Sequence, residues 1–154
     1  MWRYGLLLSR NRHVAEDLAH ATCARALERA DHYVAGTRME RWLLGILHSI
    51  WRDEVRARRV GQASAPADTK DRSAFATQPH VMAAQVIRRV DALPETQRET
   101  VYLAYVEGLS YSEVAEVLQV PVATVMTHLA TARLKLAEYP PLYTVANSAE
   151  ADRS

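Results

Sequence analysis

The stretch GLSYSEVAEVLQVPVATVMTHLATARLKL, Gly108 to Leu136, decides the fold. Ser110 and Glu113 have the S-x-x-E spacing of a capping box, in which each side chain bonds the other residue's backbone amide. A short helix should follow, burying Val114, Ala115 and Leu118. Gln119 and Val120 leave room only for a tight turn before Pro121, whose fixed φ suits a helix start. The next helix should bury Val122, Val125, Leu129, Ala132 and Leu136, which recur at spacings of three and four. Two short helices joined so tightly form the pattern of a helix-turn-helix, whose second helix lies in the DNA major groove. On that reading Thr124, Thr127, His128 and Thr131 face DNA, although a plain helical hairpin in a bundle would show the same spacing. Just upstream, LPETQRETVYLAYVEG (Leu93 to Gly108) reads as another helix, with Pro94 at its first position, acids in the first turn and Gly108 as terminator.

The whole chain sets the bounds. Its 154 residues fit one ordinary domain or two small ones, and an apolar share of 49% suffices for real cores. Cys23 is the sole cysteine, so no internal disulfide framework exists, and nothing resembles a secretion signal. The longest apolar run, WLLGILHSIW (Trp42 to Trp51), is about half the ~20 residues a membrane span needs. A soluble cytoplasmic protein without membrane insertion is expected. Net charge is +1 but uneven: residues 1–62 hold 11 Arg against 7 acids (+4), and residues 81–140 hold 5 Lys and Arg against 7 acids (−2). A nucleic-acid surface therefore belongs in the front half, and the back half alone should bind DNA feebly, because phosphate neutralisation supplies most non-specific affinity.

In that front half, Val14, Leu18, Ala21, Ala24 and Leu27 outline one face of a helix from about His13 to Ala30. A second helix begins near Met39 and carries Trp42, Leu43, Ile46, Leu47, Ile50 and Val55. Its last turns are basic, with Arg52, Arg56, Arg58 and Arg59. Cations complement a helix C-terminus, so a solvated helix end would explain them; Trp51 among the arginines adds the stacking surface that single-stranded nucleic acid requires. The Ala-, Ser-, Thr- and Pro-rich segment 61–80 reads as a flexible linker, and residues 140–154, opening with Pro140 and Pro141, as a loose tail. The expected fold is all-α: two small helical domains, 1–60 and 81–139, joined by that linker.

No nucleophile–base constellation or phosphate loop appears, so no enzyme and no cofactor is expected. His13, His20 and Cys23 fall near one helix face but lack a fourth ligand, and a buried Cys23 is the plainer expectation.

Taken together, AEDLAHATCARAL, GTRMERWLLGILHSIWRDEVRARR and LPETQRETVYLAYVEGLSYSEVAEVLQVPVATVMTHL resemble an extracytoplasmic-function (ECF, group IV) sigma factor of the sigma-70 family. The resemblance spans Trp2 to Glu138 and implies a bacterial initiation factor built from regions 2 and 4. It implies that Glu16, Asp17 and Leu18 dock on the β′ clamp helices of core RNA polymerase, with region 4 meeting the β flap. The loop of Tyr33, Gly36 and Thr37 matches the segment that captures a flipped base of the minus-10 element. The helix carrying Trp42, His48, Ser49, Trp51, Arg52, Asp53, Arg56 and Arg59 matches the part that melts and reads that element. Val122, Thr124, Thr127, His128, Thr131, Arg133 and Lys135 lie on the match to the minus-35 reader. A cognate anti-sigma factor is an implied partner.

The chain also departs from the family. Another helix usually precedes the WRYGLLLSRN segment, so either the start of the sequence is late or the first domain lacks a wall and leaves apolar surface open. Ser49 stands for a usual Asn, His48 for a frequent Arg, and His128 and Thr131 for common basic residues. Gln119 replaces a turn glycine, at about 1 kcal/mol if its backbone is left-handed. A sigma-like decoy that binds a regulator, or a helix-turn-helix repressor, would share parts of this pattern.

Overall fold

The computed structural model describes residues 1–61 and 81–138, and the linker and tail segments named above fall almost wholly outside them. Its helices are α1 (Trp2–Ser9), α2 (Arg12–Glu28), α3 (Met39–Gly61), α4 (Val81–Asp91), α5 (Glu95–Val101), α6 (Tyr111–Leu118) and α7 (Val122–Ala137). A 3-10 turn at Ala30–His32 interrupts the loop before α3, and α5 runs on into a π-helical turn, Tyr102–Val106. Among the described residues there is no strand, and no single helix is long and apolar enough to cross a membrane.

In the front half α2 packs against α1 and α3. Arg10 ends α1 in the left-handed conformation, and the Asn11 side chain then accepts from the amides of His13 and Val14 to start α2. Asn is a strong N-cap because its oxygen satisfies amides that have no partner within the helix. A Cβ on Gly5 would sit 3.3 Å from the Ala15 carbonyl oxygen, so a glycine lets α1 and α2 approach.

The buried face of α2 is Ala15, Leu18, Thr22 and Ala26, not the expected Val14–Leu18–Ala21–Ala24 stripe. Thr22 can be buried because its hydroxyl donates to the Leu18 carbonyl at 2.6 Å. That rotation leaves Leu27 80% exposed and puts Cys23 at the surface, correcting the expectation of a buried cysteine. The open apolar surface expected beside α1 is covered. Tyr4, Leu6, Leu7 and Leu8 are all buried, and the Tyr4 ring stacks on Tyr102 of the back half at 5.7 Å.

In the back half α7 packs on α5 and α6. Ser110 and Glu113 form the capping box reciprocally, at 3.2 and 2.8 Å. Gln119 then adopts φ 55°, ψ 46°, the left-handed turn, and α7 starts after Pro121. Pro94 likewise stands just before its helix rather than inside it. Arg98 is buried, donating to the carbonyls of Asp91 and Leu93, so it fastens the end of α4 to α5. Burial and then the neighbouring Arg10 depress its pKa.

The halves touch. α6 packs on α3, and one apolar cluster runs from Leu47 and Trp51 through Leu118 to Leu129.

Candidate nucleic-acid and partner interfaces

On α2, Glu16 accepts from Arg12 at 3.3 Å and Asp17 is exposed. Leu18 is wholly buried, so it anchors the helix and cannot itself meet a partner, contrary to the expectation for it. Exposed Leu27 lies nine residues beyond Leu18 on the same helix.

The loop before α3 is tied to itself. The Tyr33 hydroxyl donates to the Thr37 carbonyl at 2.7 Å, the Thr37 hydroxyl donates to the Val34 carbonyl at 2.7 Å, and Gly36 supplies φ 92°. Tyr33 leans on Trp42 with ring centroids 5.3 Å apart, which brings the loop and the start of α3 into one aromatic surface.

Along α3 the expected contacts divide. Arg52, Arg56 and Arg59 are exposed, and Arg58 lies 5.8 Å from the centre of the Trp51 ring. Trp51 itself is 8% exposed and His48 only 5%. The His48 Nδ1 lies 3.1 Å from the Tyr4 hydroxyl, tying α3 to α1. Burial, and after it the Arg52 charge, lowers the His48 pKa to about 4, so the ring is neutral at pH 7. His48 is thus a core residue here and not a groove contact. Ser49 and Trp42 line a smaller cleft of about 250 Å³ between α3 and α6.

On α7 the exposed residues include Ala123, Met126, Thr127, Ala130 and Leu134, and Arg133 is the one charge among the helix's exposed positions. Thr127 and Thr131 spend their protons on the carbonyls of Ala123 and Thr127. Val122 is 40% exposed rather than buried. Thr124 and His128 turn toward the flank, and the His128 Nδ1 stands 3.4 Å from the Thr100 hydroxyl. Arg133 is clasped by the hydroxyls of Tyr105 and Tyr111, while Lys135 is half-buried.

A cleft of about 390 Å³ joins the two helices. His48, Trp51, Arg52, Arg56 and Arg59 line it from α3, Glu95 and Glu99 from α5, Gln119 from the turn and His128 from α7. Among the described residues four polar ties bridge the halves, the first from Arg10, which donates to the Asp91 carbonyl at 3.2 Å and lies 3.8 Å from its carboxylate. Arg41 pairs with Glu116; Arg38 donates to the Gly108 carbonyl at 3.2 Å and lies 3.7 Å from Glu113; Arg52 donates to Gln119 at 3.0 Å. Sequence reasoning missed this bridge. Its signal was Arg38 and Arg41 one helical turn apart, mirrored by Glu113 and Glu116 at the same spacing. Among the described residues no three His, Cys, Asp or Glu side chains converge as a metal site would need.

A helix-turn-helix unit beside a basic, aromatic helix defines a nucleic-acid-binding protein of two helical parts. Residues 83–136 match the family "Sigma-70, region 4". The chain is 31% identical over 137 residues to the ECF RNA polymerase sigma factor EcfG of Rhodopseudomonas palustris, covering 86% of this chain and 75% of that one. It is 32% identical over 146 residues to the ECF RNA polymerase sigma factor SigE of Mycolicibacterium smegmatis, covering 90% of this chain and 56% of that one. The sigma factor RpoE of Bartonella quintana, solved with the anti-sigma factor NepR, shares the fold at TM-score 0.68 and 23% identity, over 94% of this chain and 89% of that one. The chain belongs to the ECF RNA polymerase sigma factors.

Proposed function

We propose that this sigma factor is a group IV member that directs core RNA polymerase to promoters, with residues 1–60 acting as region 2 and 81–139 as region 4. Strand separation costs roughly 1.4 kcal/mol per base-pair step, so a melting surface must repay it with stacking and cations. Trp42, Arg52, Arg56 and Arg59 on α3 supply both, with Tyr33, Gly36 and Thr37 forming the pocket for an unstacked base; Trp51, buried in the core, holds α3 in place rather than stacking. The observation that carries this reading is the concentration of aromatic and basic groups on α3 together with the weak charge of α7. Such a pair suits a factor whose affinity comes from polymerase, with two modest DNA contacts joined through effective concentration.

The α7 residues Ala123, Met126 and Thr127, flanked by Val122, Thr124 and Thr131, read the minus-35 element mainly through apolar contact, with Arg133 and Lys135 near the backbone. Glu16 and Asp17 present acids to the β′ clamp helices, region 4 meets the β flap, and an anti-sigma factor is the regulatory partner. The protein works in the cytoplasm and carries out no reaction of its own.

Run-off transcription with core polymerase tests the reading. Addition of this chain should yield a specific transcript, and Asp17→Arg should abolish core binding in a pull-down while the circular dichroism stays native. Absence of both transcript and core binding with wild-type protein would overturn it.

A further inference from the structure

Arg52, Arg56 and Arg59 recur at spacings of four and three, so they share one face of α3. Glu95 and Glu99, four residues apart, share a face of α5. The fold brings both faces into the cleft of about 390 Å³, where Val55, Leu118 and Val120 add apolar lining. Small-ligand sites usually measure about 300–1,000 Å³ and favour the seam between two structural units. Opposite charges meet here without neutralising one another. Arg52 donates to Gln119 at 3.0 Å, and Arg56 and Arg59 have no hydrogen-bond or ion-pair partner among the described residues. Glu99 is only 7% exposed, yet no cation among the described residues pairs with its carboxyl. Burial, and after it the Glu95 charge, raises its pKa to about 8. Near pH 7 the two carboxyls therefore hold one proton between them. They present an O–H donor beside the bare oxygens of a carboxylate.

That pattern has a chemical counterpart. The Watson–Crick edge of guanine, which proteins read by hydrogen bonds, sets the acceptor O6 beside the donors N1–H and N2–H. Adenine instead sets its amino group beside a bare nitrogen, which a carboxylate repels. Phosphate suits the arginines, whose planar forks bind it through paired hydrogen bonds. We infer that this cleft is a binding site for a guanine nucleotide, with the phosphates on Arg56 and Arg59 and the base edge on Glu95 and Glu99. Such a site goes beyond the reading of α3 as a strand-gripping surface and does not depend on it, because it needs the α5 carboxyls as well as the arginines.

Calorimetric titration of the full chain with GDP tests the assignment. One GDP should bind per chain. ADP, guanosine and inorganic pyrophosphate should each bind at least about tenfold more weakly, because each lacks part of the match. Arg56→Ala with Arg59→Ala should weaken GDP and pyrophosphate alike by about tenfold and keep the preference for GDP over ADP. Glu95→Gln should weaken GDP by about tenfold, leave pyrophosphate unchanged and erase the preference over ADP. The three side chains are exposed, so the circular dichroism of both variants should stay native. Failure of GDP to bind at millimolar concentration overturns the site. ADP binding as tightly as GDP, or GDP affinity unchanged in Glu95→Gln, overturns the guanine assignment. Pyrophosphate binding as tightly as GDP overturns it too, by reducing the cleft to an anion patch.

Discussion

The two helices assigned to DNA, α3 and α7, are built on opposite terms. α3 crowds four exposed arginines around a tryptophan and buries a neutral histidine beneath them. α7 turns out alanines, a methionine and a threonine, and its one exposed arginine is already held by two tyrosines. Charge and stacking serve a released single strand, which must be caught wherever it swings. A nearly neutral helix serves a rigid duplex groove, where shape and contact with thymine methyls can discriminate with little help from charge. The proposed roles give grip to the front and selectivity to the back, and four routes can break or sharpen that division.

Core truncation should have the largest effect. Leu47 of α3 and Leu129 of α7 are both essentially inaccessible. Changing either to alanine should cost about 2–5 kcal/mol. All three tryptophans lie in the front half, so tryptophan fluorescence reports that half alone. If the halves are coupled through α3 and α6, Leu129→Ala will shift the fluorescence midpoint in denaturant along with the circular dichroism. A shift in circular dichroism alone would mean that they unfold independently.

Next come the cations. Alanine at Arg52, Arg56 and Arg59 should flatten the salt dependence of single-strand binding by about two units, since each phosphate contact contributes roughly 0.7. Alanine at Arg133 and Lys135 should change duplex binding by less than about one unit. Equal losses on the two helices would abolish the division of labour.

The buried titrating groups give an effect of similar size, with a defined sign. The folded chain holds Glu99 protonated up to about pH 8 and His48 neutral down to about pH 4, against ordinary values of 4.5 and 6.5. Between pH 4.5 and 6.5 the unfolded chain has lost the Glu99 proton but gained one at His48, so the two terms cancel. From pH 6.5 to 8 only the folded chain retains its extra proton, and stability should fall by about 2 kcal/mol. Urea midpoints across that window should show the decline in wild type and a flat profile in Glu99→Gln.

The smallest effect belongs to the turn. Gln119 sits at φ 55°, so glycine there should stabilise the back half by up to about 1 kcal/mol. The same change removes the acceptor for Arg52, so the thermal midpoint rises only where relief of the turn outweighs that bond. A lower midpoint in Gln119→Gly would show that the contact between halves dominates the strain.

Much of this architecture was legible because local chemistry dictated it. The Ser110–Glu113 box, the Gln119 turn and the Pro121 start are each set by neighbours within four residues. The phase of α2 was not. Its alanines look alike on every face, and Thr22 resembles a surface residue until its hydroxyl is seen bonded to Leu18. His48 resembled a groove contact because its partner, Tyr4, lies 44 residues away. Position along α3 could not distinguish a buried histidine from an exposed one. The bridge between the halves was hidden for the same reason: no local rule pairs Arg41 with a glutamate 75 residues later.

That bridge is electrostatic and open to water, so its strength falls as salt rises. The apolar cluster beneath it answers in the opposite sense, because kosmotropic salts strengthen apolar burial. The two halves are thus joined by contacts that such salts pull in opposite directions, and their association should change less with ionic strength than the ion pairs alone dictate.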